Sequence, residues 1–369
     1  MRITMFVGRP DLGGGARVIA IYAQKLQERG HQVTVVARPP RKPTLKERLR
    51  WKLLGKPLPA AAVKSPSYFD KDRFPRDFDF RYLDSYRPAQ ASDLPDADVI
   101  VATWWETAEW VANFPASKGA KAYFVQHYET FAGDPTRIDA TYRLPMHKIC
   151  VAQWLVDLSR EKFGDPTAEL VANAVDLKQF NAPTRGKQPV PTVGVMYSTI
   201  DFKGCDVSLK AFEIAKRQVP ELKLVSFGAI DPSPELPLPD GTDFRFQPPQ
   251  DQIRDYYAKC DAWLFGSRSE GFGLPLLEAM ACRTPVIATP AGAAPELCAA
   301  GGGVLVPMED ADAMAEQIVR VARMNEAEWK RMSDAAHATA TGYTWDDATA
   351  RFEAALTHAR KAGTKQQAA

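Results

Sequence analysis

Residues 267–281 read Ser-Arg-Ser-Glu-Gly-Phe-Gly-Leu-Pro-Leu-Leu-Glu-Ala-Met-Ala, and this stretch indicates the fold. The four apolar residues before it, 262–265, predict a buried strand. Pro275 suits the first position of a helix, and Gly271 and Gly273 allow a sharp turn between strand and helix. Free N–H groups and the positive end of the helix dipole would converge above this loop. The stretch therefore predicts a phosphate site.

Two carboxylates bracket the predicted phosphate site, Glu270 on the loop and Glu278 in the first turn of the helix. A carboxylate beside a phosphate is favourable when it accepts hydrogen bonds from neutral groups, and sugar hydroxyls are such donors. This pattern predicts a nucleotide sugar, with Glu278 on the ribose diol and Glu270 on the hexose. The alternative is that Glu278 only complements the helix dipole and that Glu270 is solvated.

The pattern Glu-x7-Glu around Gly-Phe-Gly-Leu-Pro resembles the signature of retaining glycosyltransferases of the GT-B fold, in particular family GT4. The resemblance covers nearly the whole chain except residues 38–95. It implies an α/β fold of two Rossmann-like parallel-sheet domains that face each other across a cleft, with the donor held mainly by the second. It also places Gly271, Phe272, Gly273 and Leu274 in the donor-binding loop.

Length and composition agree with two soluble domains. A chain of 369 residues exceeds one ordinary domain and predicts two of roughly 180 residues each. The net charge of +2 does not favour a nucleic-acid partner, and no apolar run approaches the ~20 residues of a membrane span. Five scattered cysteines without Cys-x-x-Cys spacing indicate reduced thiols in a cytoplasmic protein. No His-rich cluster indicates a metal, so no metal is expected.

The N-terminal half begins as a β-α-β unit with strands at 3–7 and 33–36 and a glycine-rich first loop. A dinucleotide site would need Gly-x-Gly-x-x-Gly and an acidic residue near the end of the second strand. Here there is a glycine triplet, and Arg38 follows that strand. The pattern does not favour a dinucleotide cofactor, and none is expected. The family resemblance instead implies that Gly14 and Gly15 contact the donor phosphate.

Strands continue to alternate with helical segments in both halves, which predicts a parallel sheet in each. Apolar runs predict further strands at 98–102, 123–125 and 148–152, and then at 193–196, 222–227, 244–246, 262–265, 286–288 and 304–306. Residues 60–95 show no such pattern and are interpreted as irregular.

His127 and Glu129 follow the strand at 123–125, at the end where open α/β sheets bind ligands. A lone histidine is often structural. GT4 members often carry a histidine at the matching place, and this resemblance implies that His127 contacts the donor sugar and its β-phosphate. Glu129 could instead face the acceptor.

Lys203 lies on the loop after the strand at 193–196. In GT4 enzymes a lysine at this place binds the donor diphosphate, and such a charged hydrogen bond contributes roughly 1.5–3 kcal/mol. The alternative is an exposed loop lysine. Many relatives also carry an arginine after the glycine that matches Gly194, but Val195 stands here. Arg268 is the nearest alternative cation in the sequence.

Domain boundaries follow from two segments. Residues 173–180 resemble the segment that closes the N-terminal domain in this family. The next residues, 181–192, are rich in proline without an apolar period and predict a linker. We therefore expect an N-terminal domain over 1–180 and a donor domain over 193–344, with a final helix at 345–363 that packs back on the first domain.

Residues 38–59 form a basic stretch with eight Lys or Arg residues and one acid, Glu47. Trp51, Leu53 and Leu54 are interleaved with these charges. Such a segment suits an anionic membrane surface, where each charge contributes about 1 kcal/mol. The alternative is a solvated basic loop. We expect peripheral contact with the inner face of the membrane through this segment.

The sequence as a whole predicts a hexosyltransferase of polysaccharide or glycolipid synthesis. It would move a hexose from a nucleotide-diphosphate sugar to a saccharide or lipid-linked hydroxyl, with retained configuration and without a metal. Glu270, Lys203 and His127 are the expected catalytic residues, and Lys203 with the N–H groups at 272–274 would stabilise the leaving diphosphate. The alternatives are a GT-B nucleotide-sugar epimerase and a non-catalytic nucleotide-sugar-binding subunit.

Overall fold

The structure is a computed structural model that describes residues 1–8, 10–41, 43–54, 67–71 and 74–368. The chain divides into two compact units. Unit 1 comprises Met1–Val151, Leu155–Val171 and Thr349–Ala369, and unit 2 comprises Ala152–Trp154 and Ala172–Ala348. Each unit contains one parallel sheet, which confirms the predicted α/β class. In the described part of the chain, no helix combines the length and apolar character needed to cross a membrane.

Unit 1 contains a seven-stranded sheet. Its strands are β1 (Arg2–Val7), β2 (Gln32–Ala37), β3 (Asp79–Tyr82), β4 (Val99–Ala102), β5 (Ala120–Val125), β6 (His147–Cys150) and β7 (Glu169–Leu170). They run in the order β3-β2-β1-β4-β5-β6-β7, all parallel. The first helices of the chain are α1 (Gly14–Glu28), α2 (Leu45–Leu53), α3 (Trp105–Ala112), α4 (Pro135–Tyr142) and α5 (Gln153–Glu161). The central strands are buried on both faces, which is why they appear as continuous apolar runs in the sequence.

Unit 2 contains a six-stranded sheet of the same kind. Its strands are β8 (Thr192–Tyr197), β9 (Lys223–Gly228), β10 (Asp243–Phe246), β11 (Ala262–Phe265), β12 (Val286–Ala288) and β13 (Gly303–Leu305). They run in the order β10-β9-β8-β11-β12-β13. The other α-helices among the described residues are α6 (Cys205–Gln218), α7 (Ile253–Ala258), α8 (Leu274–Ala281), α9 (Ala294–Cys298), α10 (Ala311–Arg323), α11 (Glu326–Thr341) and α12 (Trp345–Ala368).

The last helix, α12, lies on unit 1 from Thr349 onward. Phe352 stacks on Tyr22 of α1 with ring centroids 4.4 Å apart, and it meets Phe124 of β5 edge-on at 5.0 Å. All three rings are buried, so this part of the helix completes the core of unit 1. The helix continues to Ala368, five residues beyond the end expected from the sequence.

Residues 172–192 belong to unit 2, which differs from the expected boundary at 180 and the expected linker over 181–192. The segment has little regular structure, but its polar groups are anchored. Gln188 N donates to Asp261 Oδ1 at 2.8 Å, and the Arg185 guanidinium lies 4.6 Å from the ring centre of Trp329. The proline-rich composition correctly predicted that this segment has little helix or strand, but it could not show these contacts.

Three elements, β3, β7 and α2, were absent from the sequence interpretation. β3 is an edge strand of only four residues, Asp-Phe-Arg-Tyr, so its alternation of polar and aromatic residues is too short to identify a strand. β7 has only two residues. α2 lies in the basic stretch, which the sequence analysis did not assign to a helix. Lys42, residues 55–66 and residues 72–73 lie outside the described residues, and so does the end of the basic stretch at 55–59.

Candidate functional site

The strand order of unit 2 reverses between β8 and β11, which are neighbours in the sheet. In open parallel sheets, ligands bind outside the carboxyl ends of the strands at such a switch point. The two loops that leave these strands are 198–204 and 266–273. Lys203 lies on the first loop and Glu270 on the second, so the topology brings two predicted site residues to one edge.

The two loops are in backbone contact because glycine occupies the closest positions. Gly204 has φ +55°, and a Cβ on it would lie 1.8 Å from the carbonyl oxygen of Gly266. A Cβ on Gly266 would lie 2.6 Å from Ser208 Oγ. Arg268 N donates to Phe202 O at 2.8 Å and links the loops again. Side chains at either glycine would separate the loops, so the glycines fix the geometry of this edge.

Lys203 and Glu270 form a charged pair across the two loops. The Lys203 Nζ atom lies 2.8 Å from Glu270 Oε1, and their side chains are 23% and 9% exposed. Ser267 Oγ donates to the same carboxylate oxygen at 2.9 Å. Low exposure strengthens such a contact because water screens it less. Ser267 was not among the residues singled out in the sequence, although its position three residues before Glu270 places it on the same loop.

The loop that carries Glu270 ends at Gly273, whose φ of +95° starts α8 at Leu274. Pro275 is therefore the second helical residue, one place later than predicted. Glu278 is the fifth residue of the helix, so its predicted place in the first turn is wrong. Its Oε2 accepts a hydrogen bond from Tyr257 OH at 3.0 Å, which orients a largely buried carboxylate.

The carbonyls of the glycine loop are held by neighbouring groups of unit 2. Trp154 Nε1 donates to Gly271 O at 2.9 Å, and Ala293 N donates to Phe272 O at 2.8 Å. The N–H of a trans peptide points away from its carbonyl, so the N–H groups of Phe272 and Gly273 face away from these donors. The Phe272 side chain is buried, which leaves the backbone of this residue to meet a ligand. This backbone arrangement is compatible with an anion at the loop, and the anion site stays a prediction.

Arg268 is held mainly by two carboxylates, Asp206 and Glu309, and lies 3.6 Å from a third, Asp201 Oδ1. Its guanidinium binds Asp206 in two places, at 3.0 and 2.8 Å, and also contacts Glu309 Oε2 at 2.9 Å. The hydrogen bond to Asp206 contributes most to raising the pKa of Arg268, and the same bond lowers the pKa of Asp206. A donor contact by Arg268 stays a prediction, and it would compete with these two carboxylates.

In unit 1 the strand order reverses between β1 and β4, and the glycine triplet follows β1. Gly14 and Gly15 are the first two residues of α1. A Cβ on Gly15 would lie 3.5 Å from the side chain of Gln126, which is an ordinary contact. His127 follows Gln126, and its Nδ1 lies 3.0 Å from Tyr128 O. Unit 1 therefore places the predicted residues Gly14, Gly15 and His127 at one edge of its sheet.

Aromatic side chains surround His127 at this edge. The rings of His127 and Phe131 meet perpendicularly at 5.0 Å, and Trp104 approaches Phe131 edge-on at 6.5 Å. Phe131 is 51% exposed, so this cluster presents an apolar ring to solvent. The sequence analysis missed Trp104 and Phe131, although both follow strands of the sheet at their carboxyl ends.

Glu129 does not face solvent. Its side chain is buried, and its Oε2 accepts a hydrogen bond from Trp105 N, the first residue of α3, at 2.8 Å. Burial raises the pKa of Glu129 well above the ordinary range. The carboxyl group therefore caps α3, which does not support the acceptor-facing role considered for it.

The structure gives little support for a nucleophilic cysteine or a metal ion near the loops of unit 2. Cys205, beside Gly204, is buried, and burial raises the pKa of its thiol to about 11. It is therefore protonated at neutral pH and poorly suited to attack. Among the described residues, no group of three or more His, Cys, Asp or Glu side chains is placed to hold a metal ion.

Two family models match consecutive parts of the chain. The model described as Glycosyltransferase Family 4 matches residues 12–179, and the model described as Glycosyl transferases group 1 matches residues 179–339. The chain belongs to glycosyltransferase family 4. This confirms the family that residues 267–281 indicated, and both halves of the GT4 chain carry the match.

Curated relatives of this GT4 chain are similar over part of their length. The D-inositol 3-phosphate glycosyltransferase of Mycobacterium marinum is 31% identical over 239 residues, which is 59% of this chain and 50% of that protein. The same enzyme of Streptomyces bingchenggensis is 36% identical over 109 residues, which is 29% of this chain and 24% of that protein. The GT4 chain thus spans between a quarter and a half of the relatives it matches.

A solved structure supports the fold over almost the whole GT4 chain. Sucrose-phosphate synthase from Thermosynechococcus elongatus matches with a TM-score of 0.74 and 18% identity, over 98% of this chain and 100% of that one. Anabaena HepE in complex with UDP-glucose matches with a TM-score of 0.73 and 15% identity, over 97% and 100%. These likenesses confirm the GT-B class, with two parallel-sheet α/β domains.

Proposed function

We propose that this protein is a retaining hexosyltransferase that moves a hexose from a nucleoside-diphosphate sugar to a hydroxyl of a saccharide or lipid-linked acceptor. The observation that carries the proposal is the contact between Lys203 and Glu270 beside the N-terminus of α8. It joins a cation for phosphate to an acceptor for sugar hydroxyls at the switch point of one sheet. Family membership and the UDP-glucose bound by HepE support the choice of donor.

The leaving diphosphate would be stabilised by Lys203 and by the N-terminus of α8. Negative charge develops on the diphosphate as the sugar leaves, and a fixed cation with oriented N–H groups lowers the energy of that state. Lys203 would turn from Glu270 to phosphate when the donor binds. We propose that these groups act without a metal ion, as the sequence led us to expect.

The two carboxylates would select the sugar hydroxyls of the donor. Ser267 and Lys203 both bind Oε1 of Glu270. In the described part of the chain Oε2 of this carboxylate accepts no hydrogen bond, so it is the oxygen we assign to the hexose. Tyr257 OH donates to Oε2 of Glu278, and we assign the carboxylate of Glu278 to the ribose diol. Each carboxylate is thus oriented before the donor arrives.

Unit 1 would supply the remaining donor contacts and an acceptor surface. We assign His127 to the donor sugar and Gly14 and Gly15 to the donor phosphate, as the family resemblance implies. The exposed ring of Phe131 beside Trp104 suits the apolar face of a saccharide. An acceptor of this kind fits cell-surface polysaccharide or glycolipid synthesis. We place this activity in the cytoplasm, with peripheral membrane contact through residues 38–59.

In the proposed reaction the bond between the hexose C1 and the diphosphate oxygen breaks, and the diphosphate keeps the electron pair. The acceptor oxygen forms the new bond to C1 on the same face of the sugar. Its proton passes to the leaving phosphate oxygen, so charge and atoms balance. No side chain has to form a covalent intermediate in this scheme.

Proton NMR of donor turnover in excess EDTA tests the proposal. UDP-hexoses and GDP-hexoses would be incubated with the protein, with water and a panel of methyl glycosides as acceptors. We expect a new glycoside, or a released hexose, that keeps the anomeric configuration of the donor. Inverted product contradicts retention, and activity restored only by magnesium or manganese contradicts the metal-free scheme. An epimerised donor, or tight binding without turnover, would favour the epimerase or the binding subunit.

A further inference from the structure

Helix α2 presents a row of leucines to solvent. Leu45, Leu49 and Leu53 are 76%, 59% and 86% exposed. Residues four apart lie on one face of a helix, so the three side chains form a continuous strip, which we call the leucine stripe. Within the part of the chain that the structure describes, α2 buries none of its residues. The stripe is therefore an apolar surface of this helix without a core beneath it.

Basic residues flank the leucine stripe on both sides. With 3.6 residues per turn, Lys46 and Arg50 lie along one side of the stripe, and Arg48 and Lys52 lie along the other. All four side chains are exposed. We call them the basic flanks. The acid of this helix, Glu47, lies opposite the stripe and is paired with Arg41, so the stripe carries uncompensated positive charge on both sides.

The helix is specified by its own sequence. Thr44 caps it, with Glu47 N donating to Thr44 Oγ1 at 3.3 Å and Thr44 N donating to Glu47 Oε2 at 2.8 Å. This reciprocal capping box fixes the start of the helix without help from a neighbouring element. The exposed face is therefore a property of a defined helix and not of a loop that happens to contain leucines.

The charge pattern decides between the surfaces that could cover the stripe. A second copy of this chain would bring two sets of basic flanks together, which repel each other. An anionic lipid surface complements the flanks. Leucines enter the acyl boundary, while Lys and Arg stems extend to the headgroups. We propose that α2 is an interfacial helix, which lies in the surface of an anionic bilayer with the leucine stripe inserted.

The chain before α2 is anchored to unit 1 at Arg38. This anchor lies at the edge of the sheet that also carries the predicted site residues of unit 1. Arg38 follows β2, contacts Glu106, and lies 4.7 and 4.8 Å from the ring centres of Tyr86 and Trp110. Parallel strands end at one edge, so α2 leaves unit 1 on the edge that holds His127. Arg38 is thus an anchor on the protein and not one of the lipid-binding charges suggested by the sequence.

This proposal deepens the proposed function, because an inserted helix would present a lipid-linked acceptor to unit 1. Only the idea that the helix brings an acceptor to unit 1 rests on the proposed glycosyltransferase function. Lipid binding itself depends on α2 alone. It also revises the expectation for the basic stretch, since Trp51 and Leu54 lie away from the leucine stripe and are not needed for insertion.

Vesicle sedimentation tests the proposal with the full chain. The probes are phosphatidylcholine vesicles and mixed phosphatidylcholine–phosphatidylglycerol vesicles, at low and high salt. We expect the wild type to bind the mixed vesicles at least about tenfold more tightly than the neutral ones, with salt weakening the binding. Leu45→Ala, Leu49→Ala and Leu53→Ala together should lower binding at least about tenfold, because they remove the inserted apolar surface.

Leu54→Ala is the matched control, since Leu54 is 57% exposed but lies off the stripe. It should bind as the wild type does. Replacing the four basic flanks by Gln should abolish the preference for anionic vesicles. Thermal melting should be unchanged in every variant, because each changed side chain is exposed. Alanine retains the helix, so lost binding cannot come from a lost fold.

Three results would overturn the proposal. One is equal vesicle binding by wild type and stripe variant, and another is equal binding to neutral and anionic vesicles. The third is a lipid-free dimer in sedimentation velocity that the stripe variant dissociates, which would assign the stripe to a second copy. Donor hydrolysis measured in parallel separates the two proposals. Vesicle binding without donor turnover would support the helix and contradict the proposed function.

Discussion

Glycines in the site loops of the two units serve different purposes, as the space around them shows. In unit 2, a Cβ on Gly204 would lie 1.8 Å from Gly266 O, far closer than two non-bonded carbon and oxygen atoms can approach. In unit 1, a Cβ on Gly15 would meet Gln126 at 3.5 Å, which the fold can accommodate. Glycine is thus required by packing at the first position, whereas packing does not explain it at the second.

This difference indicates how each edge handles a ligand. The loops of unit 2 are joined by backbone contacts, and they hold Lys203 and Glu270 in a defined pair before any donor binds. Preorganised charges stabilise a developing charge without reorganisation. The first turn of α1 has room for a methyl group at Gly15, so packing does not require glycine there, and the donor contact at Gly15 stays a proposal. Substitutions at matched glycines in the two units test this difference.

Gly204→Ala should give the largest loss of stability. The added methyl group overlaps the backbone of Gly266, and φ of +55° is itself unfavourable for alanine. We expect a loss of about 3 kcal/mol or more in the free energy of unfolding by urea. Gly241→Ala is the control, because Gly241 has φ +78° and no atom within 4 Å of the added Cβ. It should lose only about 1–2 kcal/mol. Equal losses would show that the loops are not interlocked.

Gly15→Ala should separate function from stability. Alanine suits a helix better than glycine, so the melting temperature should stay the same or rise, by the equivalent of about 1 kcal/mol at most. Donor turnover should nevertheless fall at least about tenfold, since a displacement of about 1 Å in a site can cost about 100-fold. Steady-state kinetics and melting curves on the same sample measure both. Unchanged kcat/KM would remove Gly15 from the donor site.

Glu129→Gln should have a small effect that grows with pH. Burial raises the folded-state pKa of Glu129, so the wild type is fully stabilised below the unfolded pKa and loses stability as pH rises toward the folded one. Glutamine cannot ionise and still accepts the bond from Trp105 N. Its melting temperature should therefore gain progressively on the wild type as the pH rises above the ordinary pKa of a glutamate, about 4.3.

Glu213→Gln, on the exposed face of α6, is the control for Glu129→Gln and should show no such trend. A melting difference for Glu129→Gln that stays constant or shrinks with rising pH would show that this carboxyl is ionised in the folded protein.

The features that the sequence predicted correctly, buried strands and the glycine loop, are specified by local patterns of residues. Buried parallel strands such as 262–265 and 286–288 are short apolar runs, and the structure has them with the same bounds. The glycine loop was recognisable because Pro275 and two glycines fix where a helix starts. The sequence indicated Lys203 and Glu270 as two separate site residues. They are in contact in the structure because β8 and β11, the strands before their loops, are neighbours in the sheet.

Other features depend on tertiary contacts that no local pattern encodes. The approach of Gly204 to Gly266 joins loops from two strands far apart in the sequence. The carboxylates that hold Arg268 come from α6 and from the segment before α10. The leucines of α2 recur every four residues, but the charges between them led to the interpretation of a basic loop instead of a helix. β3 has only four residues, too few for its alternation to identify a strand.

Titration calorimetry with nucleoside diphosphates tests the central claim, which is that Lys203 binds the donor diphosphate at the edge of unit 2. Wild type, Lys203→Met and Lys210→Met would be compared with UDP and GDP. Lys210 is an exposed lysine of α6 and serves as the control. We predict that Lys203→Met weakens binding of the preferred diphosphate about tenfold to about 100-fold, the loss of one charged hydrogen bond, while Lys210→Met binds as the wild type does. Equal affinity in all three proteins, with unchanged melting curves, would contradict the assignment of this site.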